Sequence, residues 1–343
     1  MKIGILTHPL QSNYGGILQA LALKGVLECL GHSVLILDRR HNLPRWKKWV
    51  KYVINILNGR TGRCAGQIDS RVTFINNLFK RTPEIFSHKR LVKEIRKNKI
   101  EAVIIGSDQV WNSGFCKLRD LDYWGGFLNE CDVNVLSYAA SMGIPEWTYD
   151  SKTTRKIVDL LKKFNGISVR ETHIIPVLTE IGINNAQWVL DPTLLHDPEF
   201  YEQYITHRTG KSHEPYIFIY WMGDESLIPQ IPEKYSCLPI VKCNLADNDN
   251  NMSVESWLAH IKNADLVITN SFHGCALSIV HEKHFIPYIH PNYVESRLIT
   301  LFRKLGLDTK LDNPYCMEDY EQVAEAINMY RKESVGFIKN SLI

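Results

Sequence analysis

The sequence predicts an α/β protein of two domains, each with a mostly parallel sheet covered by helices. Its 343 residues are enough for about two domains of ~150 residues each. Short apolar runs alternate with stretches of helical apolar spacing, which is typical of strands joined by helical crossovers. The charged, turn-prone segment 207–215 divides this alternation into two series. We therefore expect two such domains that face each other across a cleft.

The first forty residues form the clearest unit of this pattern. The run KIGIL at 2–6 predicts a strand, ILQALALKGVLECLG at 17–31 a helix that ends at a glycine, and SVLILD at 33–38 a second strand. The polar loop at 7–16 joins the first strand to the helix. Together these elements make a right-handed crossover of Rossmann type. The loop lacks the GxGxxG spacing, so no dinucleotide is inferred.

The remaining elements alternate in the same way after segment 40–70, which is basic and aromatic and is expected to be a mobile excursion over the active face. Strands are predicted within 101–112, 133–143, 166–171, 186–195, 216–222, 238–244, 265–270 and 284–290. Helices are predicted at 68–81, 88–98, 150–166, 253–264, from 271 onward, and at 295–306 and 317–342. This order predicts a first domain at 1–205, a second at 206–312, and a C-terminal helix within 313–343 that packs back on the first domain.

The composition argues against several classes of protein. A net charge of +3 is too small to indicate a nucleic-acid partner. Basic residues cluster at 39–53 and 88–99, either as solvated faces or to attract an anionic substrate, and 39–53 is also a candidate for peripheral membrane association. No stretch approaches the ~20 apolar residues of a membrane span, and the first apolar run is too short for a signal peptide. Eight cysteines without CxxC spacing predict reduced thiols in a cytoplasmic protein, with no zinc.

Polar residues at the ends of predicted strands form the candidate site, because ligands of open parallel sheets bind outside the carboxyl ends of the strands. These residues are Asn13, Tyr14, Gly15, Gly16, Gly106, Ser107, Asp108, Gln109, Asn112, Ser141, Arg170, Glu171, Asp191, Asn270, Ser271 and His273. Each one alone is explained equally well as a helix cap or a turn residue. Arg170 and His273 are harder to explain in that way.

Arg170 ends an apolar strand, where a buried guanidinium needs an anionic partner. Glu171 is one candidate for that partner, and the pair would then be structural. A phosphate or carboxylate of a substrate is the other candidate, since the planar guanidinium binds either in bidentate fashion. The sequence leaves both interpretations open.

His273 lies in the stretch NSFHG, where strand 265–270 joins the next helix. The backbone N–H groups in the first turn of a helix form an anion site. Ser271 would add a hydroxyl, and Gly274 would allow close approach of the backbone. An imidazole at this point can also move a proton near pH 7. The stretch therefore predicts a phosphate site with a proton donor, although a single histidine is more often structural.

Seven segments are more specific as an ordered set than any one of them alone. They read NYGGILQALAL, VIIGSDQVWN, SYAASMG, ISVRE, VLDPTLL, VITNSFHGCALSIVHEKHFI and SRLITLFRKLGL. This set, which runs from residue 13 to residue 307, resembles the polysaccharide pyruvyl transferase family. The resemblance implies two Rossmann-like domains arranged as in GT-B glycosyltransferases. It also implies transfer of the enolpyruvyl unit of phosphoenolpyruvate onto two hydroxyls of a sugar, which leaves a pyruvate ketal.

The resemblance also assigns particular residues. The arginine of the family's SVR[DE] segment matches Arg170, and the histidine of its S-x-H segment matches His273, preceded by Ser271. The family's basic residue after the following strand matches Arg297 in our assignment, with Lys283 as the competitor.

A mechanism without metal or cofactor is implied, with phosphoenolpyruvate as the donor and a sugar of a bacterial-type surface polysaccharide, or its lipid-linked precursor, as the acceptor. His273 would protonate carbon or the phosphate, and Asp108 is the candidate base for the acceptor hydroxyl. The expected substrate-binding residues are Asn13, Gly15, Gly16, Ser107, Asn112, Glu171, Asn270, Ser271, Gly274 and Arg297, beside Arg170.

Two other classes stay open. A GT-B glycosyltransferase that uses a nucleotide sugar would share the architecture, with the diphosphate at the helix that starts at Ser271. An acidic residue that binds the ribose would then be expected, but Glu282 and Glu295 do not form an E-x7-E arrangement. A non-catalytic glycan-binding relative is the third class, and the presence of Arg170 and His273 argues against it.

Overall fold

A computed structural model describes residues 1–11, 13–40, 70–114, 121–205, 214–245, 252–289, 297–307 and 320–343. The predicted excursion at 40–70 lies outside these ranges, apart from its two end residues. Two parallel sheets make up the described part of the chain, with helices packed against them. The predicted α/β class with two sheets of this kind is confirmed.

The first sheet contains the strands predicted in the first series. They are β1 (Lys2–Leu6), β2 (Ser33–Ile36), β3 (Ala102–Asp108), β4 (Asn134–Ala140), β5 (Gly166–Val169) and β6 (Ala186–Trp188). Their order across the sheet is β2-β1-β3-β4-β5-β6, and neighbouring strands pair in parallel. Every residue of β3 is buried. Continuous apolar runs rather than alternating ones encode these strands, because helices cover both faces of a parallel sheet.

The second sheet is smaller and has the same character. Its strands are β7 (Ile217–Trp221), β8 (Ile240–Asn244), β9 (Leu266–Thr269) and β10 (Phe285–Pro287). They pair in parallel in the order β10-β9-β7-β8. Both sheets therefore have the doubly wound arrangement that places ligands at the carboxyl ends of the strands.

The helices begin at the polar residues that the sequence places before each apolar stretch. They are α1 (Tyr14–Cys29), α2 (Ser70–Leu78), α3 (His88–Lys97), α4 (Ser151–Leu161), α5 (Ile174–Glu180), α6 (Pro198–Glu202), α7 (Val254–Asn263), α8 (Phe272–Val280), α9 (Arg297–Leu305) and α10 (Tyr320–Leu342). Side chains of Asn13, Ser87, Asp150, Ser253 and Ser271 cap α1, α3, α4, α7 and α8. The short helices α5 and α6 were not predicted. None of the helices in the described ranges is long and apolar enough to cross a membrane.

Each sheet has a point where the chain changes direction across it. In the first sheet this point lies between β1 and β3, and in the second between β7 and β9. The loops after these strands leave a crevice between them because successive connections run to opposite sides. Helices α1 and α8 start from these two points and contact each other across the domain boundary. The site is built where they meet.

Aromatic packing joins the first turn of α1 to the second sheet's helices. The Tyr14 ring stacks on the Trp257 ring of α7 with centroids 5.3 Å apart. The Tyr14 hydroxyl donates to the backbone oxygen of Met252 at 2.7 Å. One continuous hydrophobic cluster therefore includes residues of α1, α7 and α8. The two sheets face each other across a packed boundary at this end.

The C-terminal helix α10 packs against the first sheet. Ser334 accepts a hydrogen bond on its hydroxyl from the backbone N–H of Leu190 at 3.0 Å, and the Phe337 ring lies 6.4 Å from the Tyr138 ring of β4. The same helix also contacts α9 of the second series. The residue boundaries of the domains stay a prediction.

A buried ionic cluster connects the end of β2 with α3 and the loop at 121–130. Arg39 Nε lies 2.6 Å from Asp122 Oδ2. His88 Nδ1 lies 2.5 Å from the other Asp122 oxygen, and its Nε2 lies 2.7 Å from Glu130 Oε1. Arg39 is buried here, and Arg40 is buried against Asp38 at 2.7 Å. These two arginines of the basic segment 39–53 are thus used within the fold, and the rest of that segment lies outside the described residues.

We predict that His88 makes stability depend on pH. Burial lowers its pKa, but hydrogen bonds with Asp122 and Glu130 outweigh burial, so the pKa is raised above its ordinary value of 6.5. A raised pKa contributes stability below 6.5, and this contribution is lost as pH rises through the pKa of the folded state. The stability gap between wild type and His88→Gln, measured by urea unfolding, should be larger at pH 6 than at pH 9.

His32 provides the control, because burial lowers the pKa of its imidazole rather than raising it. The gap for His32→Gln should not shrink between pH 6 and pH 9. An equal gap at both pH values for His88→Gln would show that the protonated imidazole contributes nothing to this cluster.

Candidate active site

A cluster of charged side chains lies at the carboxyl ends of β3, β5 and β6 and touches the start of α8. Arg170 follows β5 and is 2% exposed. Its Nη1 donates to Asp191 Oδ2 at 2.9 Å, its Nη2 to Asp108 Oδ1 at 3.3 Å, and its Nε to Glu171 Oε1 at 3.5 Å. The guanidinium also lies 4.7 Å from the ring centroid of Phe272. Glu171, the partner considered from sequence, makes the longest of the three contacts, and the main partners are Asp108 at the end of β3 and Asp191 after β6.

A second guanidinium, that of Arg297, lies near the Asp108 carboxylate. Its backbone has φ of +73°, a left-handed conformation that aspartate tolerates better than most residues and that turns the chain at the end of β3. Arg297, the first residue of α9, places Nη1 3.9 Å from Asp108 Oδ1. The Arg297 side chain is 24% exposed, whereas that of Arg170 is buried. Arg297 therefore has the freer guanidinium in this cluster.

Both aspartates stay ionised in these surroundings. Burial alone would raise the pKa of Asp108, but the charges of Arg170, His273, His8 and Arg297 hold it well below the usual range. Burial is likewise outweighed at Asp191, where His273 and Arg170 hold the pKa far below its usual value. A carboxylate stabilised in this way is a weak base.

His273 lies in the first turn of α8 and is 4% exposed. Its Nε2 lies 3.7 Å from Asp191 Oδ2, an ionic distance that is too long for a hydrogen bond. This Nε2 is buried and has no hydrogen-bond partner among the described residues. Buried nitrogens are rarely left without a partner, so this atom is available to hydrogen-bond a ligand.

Gly15 makes room for the imidazole of His273. A Cβ atom built on Gly15 would lie 2.0 Å from His273 Nδ1, far inside contact distance. A Cβ on Gly16 would meet only ordinary contacts, 3.7 Å from the Asn13 Cβ and 3.9 Å from Asp108 Oδ2. The first turn of α1 thus lies directly against His273 on one side and near Asp108 on the other. The N-termini of α1 and α8 converge on one point, and both favour negative charge there.

The other residues predicted around His273 bond to the protein itself. The Asn270 amide exchanges hydrogen bonds with the backbone of Met222, at 3.0 and 2.8 Å, and so joins β9 to the end of β7. The Ser271 hydroxyl accepts from the N–H of Gly274 at 3.3 Å as the cap of α8. A Cβ on Gly274 would lie 2.6 Å from the Thr269 hydroxyl, so this glycine lets α8 pack closely on β9. Phosphate binding by these residues stays a prediction.

Residues after β1 and β3 form a buried hydrogen-bond network beside Asp191. The Ser107 hydroxyl lies 2.9 Å from Gln19 Oε1 and 3.4 Å from Asp191 Oδ2. Gln19 donates in turn to the hydroxyl of Thr7 at 3.1 Å and to the backbone oxygen of Gly16 at 2.8 Å. This network fixes the position of the α1 N-terminus relative to β3.

Asn13 and Asn112, two further predicted residues, act locally. Asn13 Oδ1 accepts from the N–H groups of Gly15 and Gly16 at 3.0 and 3.4 Å. Asn112 donates to the side chain of Gln109 at 2.8 Å and accepts from the N–H of Gly114 at 2.8 Å, within the loop after β3. Asn13 lies at the cluster through its cap, whereas Asn112 organises an adjacent loop.

Asp191 and Gln19 lie at the centre of the site, although the sequence predicts no role for either of them. Asp191 bonds Arg170 and faces His273, and its other oxygen accepts from the N–H and hydroxyl of Thr193 at 3.0 and 2.7 Å. Gln19 of α1 connects Thr7, which follows β1, with Ser107 of β3. Asp191 was visible as a strand-end residue in VLDPTLL, but its Asp-Pro pair reads as a turn; Gln19 has no sequence signal, since it lies in an apolar helix.

Of the two candidate basic residues, the structure places Arg297 at the charged cluster and Lys283 away from it. Lys283 follows the carboxyl end of α8, where its backbone oxygen accepts from the Tyr320 hydroxyl at 2.6 Å. The cluster lies at the other end of this helix, and Arg297 lies there. Among the described residues no group of His, Cys, Asp or Glu is arranged to hold a metal ion.

The architecture is GT-B-like, with two Rossmann-like domains and a charged cluster where their helix N-termini meet. The polysaccharide pyruvyl transferase family matches residues 13–292, and the chain belongs to this family. A search of curated proteins finds no match.

Two solved structures share the fold at low identity. The S. aureus MnaA structure, determined with UDP, is 10% identical with a TM-score of 0.51, over 97% of this chain and 91% of that chain. The UDP-GlcNAc 2-epimerase of Methanocaldococcus jannaschii is 12% identical with a TM-score of 0.50, over 96% of this chain and 92% of that chain. At such identities the likeness shows the fold alone.

We predict that Gly15→Ala destabilises the protein and Gly16→Ala does not. Alanine in a helix normally stabilises by about 0.5–1 kcal/mol relative to glycine. At Gly15 the clash with His273 should reverse this sign and lower the melting temperature, whereas Gly16→Ala should leave it unchanged or raise it. Thermal unfolding of the two variants measures the difference.

A second substitution tests the cause of this difference. His273→Ala removes the clashing ring, so the cost of Gly15→Ala should shrink in the His273→Ala background. Equal costs of Gly15→Ala in both backgrounds would contradict the contact between these residues.

Proposed function

We propose that the protein transfers the enolpyruvyl unit of phosphoenolpyruvate onto two hydroxyls of a sugar and forms a pyruvate ketal. Membership of the pyruvyl transferase family supports the reaction class. The observation that carries the donor is the convergence of two arginines, two helix N-termini and a buried imidazole nitrogen without a partner. These groups suit a small ligand with a phosphate and a carboxylate.

Arg297 is the residue that binds the donor most directly in this proposal. All three nitrogens of the Arg170 guanidinium already contact carboxylates, whereas the one ionic contact of Arg297 among the described residues is that with Asp108 at 3.9 Å, and its side chain is partly exposed. A turn of the Arg297 side chain toward the cleft would direct its fork at the donor. Arg170 then acts by holding Asp108 and Asp191 in place and by adding positive charge beneath the donor.

His273 supplies the proton for the donor's methylene carbon. Protonation of this carbon makes a methyl group and leaves C2 with oxocarbenium character. One sugar hydroxyl then bonds to C2, the C2–O bond to phosphate breaks, and the second hydroxyl closes the ketal. The two hydroxyl protons balance the proton gained by carbon and the proton carried off by phosphate. Asp191, ionised beside Nε2, gives the proton-carrying imidazole an anionic neighbour.

Asp108 has a different role in this proposal from the base expected from sequence. Its carboxylate is shared between Arg170 and Arg297, and its pKa is held low. A carboxylate with so little affinity for a proton orients the two arginines better than it deprotonates a hydroxyl.

We also take the enzyme to be cytoplasmic, since the exposed Cys29 and Cys237 are free thiols that persist in a reducing compartment.

The experiment that tests the proposal combines phosphoenolpyruvate with a panel of nitrophenyl and lipid-linked sugars. Inorganic phosphate should appear only when a suitable sugar is present, and mass spectrometry should show one pyruvyl ketal on that sugar. A parallel reaction contains UDP-sugars, because S. aureus MnaA was solved with UDP. Glycosyl transfer with release of UDP, and no phosphate from phosphoenolpyruvate, would overturn the proposal in favour of a nucleotide-sugar glycosyltransferase.

We predict that His273→Ala lowers kcat by about 100- to 10,000-fold, the usual loss for a general acid. The protein should stay folded, because the lost ring leaves a gap beside Gly15 rather than an unpaired charge. His273→Gln keeps a hydrogen-bond donor and should recover donor binding but not turnover. Near-normal turnover in His273→Ala, together with a much lower melting temperature, would show that the histidine is structural.

We predict that Arg297→Lys raises the KM for phosphoenolpyruvate by roughly tenfold, about 1.4 kcal/mol of binding. Lysine keeps the charge but cannot reproduce the bidentate fork. Arg303→Lys is the matched control, since Arg303 is an exposed residue of the same helix. Arg170→Lys should instead lower the melting temperature as well as activity, because a single ammonium group cannot replace the three nitrogens that contact the buried carboxylates. A wild-type KM in Arg297→Lys would contradict the assigned role.

A further inference from the structure

The first domain contains a large cavity at the same sheet edge as the charged cluster. Its volume is about 910 Å³, within the range of ligand sites. Its lining includes Val72 and Asn76 of α2 together with the charged side chains of Asp38, Arg40, Arg81 and Glu84. Asp38 and Arg40 follow β2 at its carboxyl end. The cavity therefore lies at the carboxyl-end edge of the first sheet, the edge at which ligands of parallel sheets bind, and beside its edge strand β2.

The charges on the wall of the cavity balance each other. Arg40 lies 2.7 Å from Asp38 and 3.5 Å from Glu84, and Arg81 lies 3.5 Å from Asp38. Asp38 and Arg40 are buried, so these ion pairs hold donors and acceptors in fixed positions. Two arginines opposite two carboxylates give no net attraction for an anion. They suit a neutral ligand whose hydroxyls both donate and accept hydrogen bonds.

The cavity lies close to the candidate proton donor. Gln11, at its mouth, is four residues before Gly15, which spans at most roughly 14 Å of extended chain. Gly15 lies directly against His273. Across the sheet, β2 is two strands from β3, about 10 Å at the usual ~4.8 Å spacing. The cavity is therefore near enough to the cluster for a short oligosaccharide to span the distance between them.

We propose that this cavity binds the acceptor, and that the acceptor is a neutral glycan of more than one sugar. The identification of this glycan as the acceptor rests on the proposed function. Binding of a neutral glycan in the cavity does not depend on the proposed function. The volume exceeds what one sugar needs, and the polar wall offers several hydroxyl partners beside the apolar Val72, which is 40% exposed.

Saturation-transfer NMR tests the site without phosphoenolpyruvate, with neutral and uronic-acid nitrophenyl oligosaccharides as probes. A neutral oligosaccharide should bind more tightly than a uronic-acid one. Asn76→Leu should lower its affinity on the order of tenfold, about 1.4 kcal/mol, and Asn77→Leu should leave it unchanged. Asn77 is the adjacent exposed residue of α2 and does not line the cavity. Val72→Arg should lower the affinity as well, because the larger side chain fills part of the cavity. Thr73→Arg is its control, since Thr73 does not line the cavity.

Three results would overturn the inference: no oligosaccharide binds, a uronic-acid probe binds better, or the cavity variants bind as the wild type does. The turnover assay separates this inference from the proposed function. If Asn76→Leu releases phosphate with an unchanged KM for the acceptor, the cavity does not bind the acceptor, and the proposed pyruvyl transfer is still supported. If the cavity variants lose glycan binding but the wild type releases no phosphate, the proposed pyruvyl transfer is wrong, and glycan binding in the cavity is still supported.

Discussion

The geometry of the site depends on one carboxylate, Asp191, that is shared between Arg170 and His273. Arg170 and Asp191 belong to the first sheet, whereas His273 starts a helix of the second. The contact therefore links the two domains through a buried charge. A buried guanidinium and a buried carboxylate are stable only as partners, so neither can be moved without leaving the other uncompensated. Opening of the cleft would separate the imidazole from Asp191 and break the site apart.

The close packing of α1 against α8 keeps this arrangement in place. Gly15 lets the α1 backbone touch the His273 ring, and Tyr14, its neighbour, stacks on Trp257 of the second domain. Two consecutive residues thus serve opposite needs, one by having no side chain and the other by having a large one. The position of the imidazole follows from the docking of the two domains.

The sequence predicted the fold well because its signals are local. Apolar runs, caps such as Ser253 and the glycine after α1 each act within a few residues, so the alternation of strands and helices could be read directly. The positions of Arg170 and His273 at strand ends also identified them as candidate site residues. What could not be read was contact between distant parts of the chain. From the sequence alone, Asp191 is explained as a turn residue and Gly15 as a loop glycine. Their contacts with His273 appear only when the second domain lies beside the first.

The excess of carboxylates in a site proposed for an anionic donor has a physical explanation. Without a ligand, a buried Arg170 needs anionic partners, and Asp108, Glu171 and Asp191 provide them. Because these partners are tied to Arg170, they repel the donor less than free carboxylates would. Arg297, at the rim, and the two helix N-termini are then left to favour the donor's charge. In the proposed mechanism the buried arginine organises the site, and the partly exposed one would bind the anionic donor.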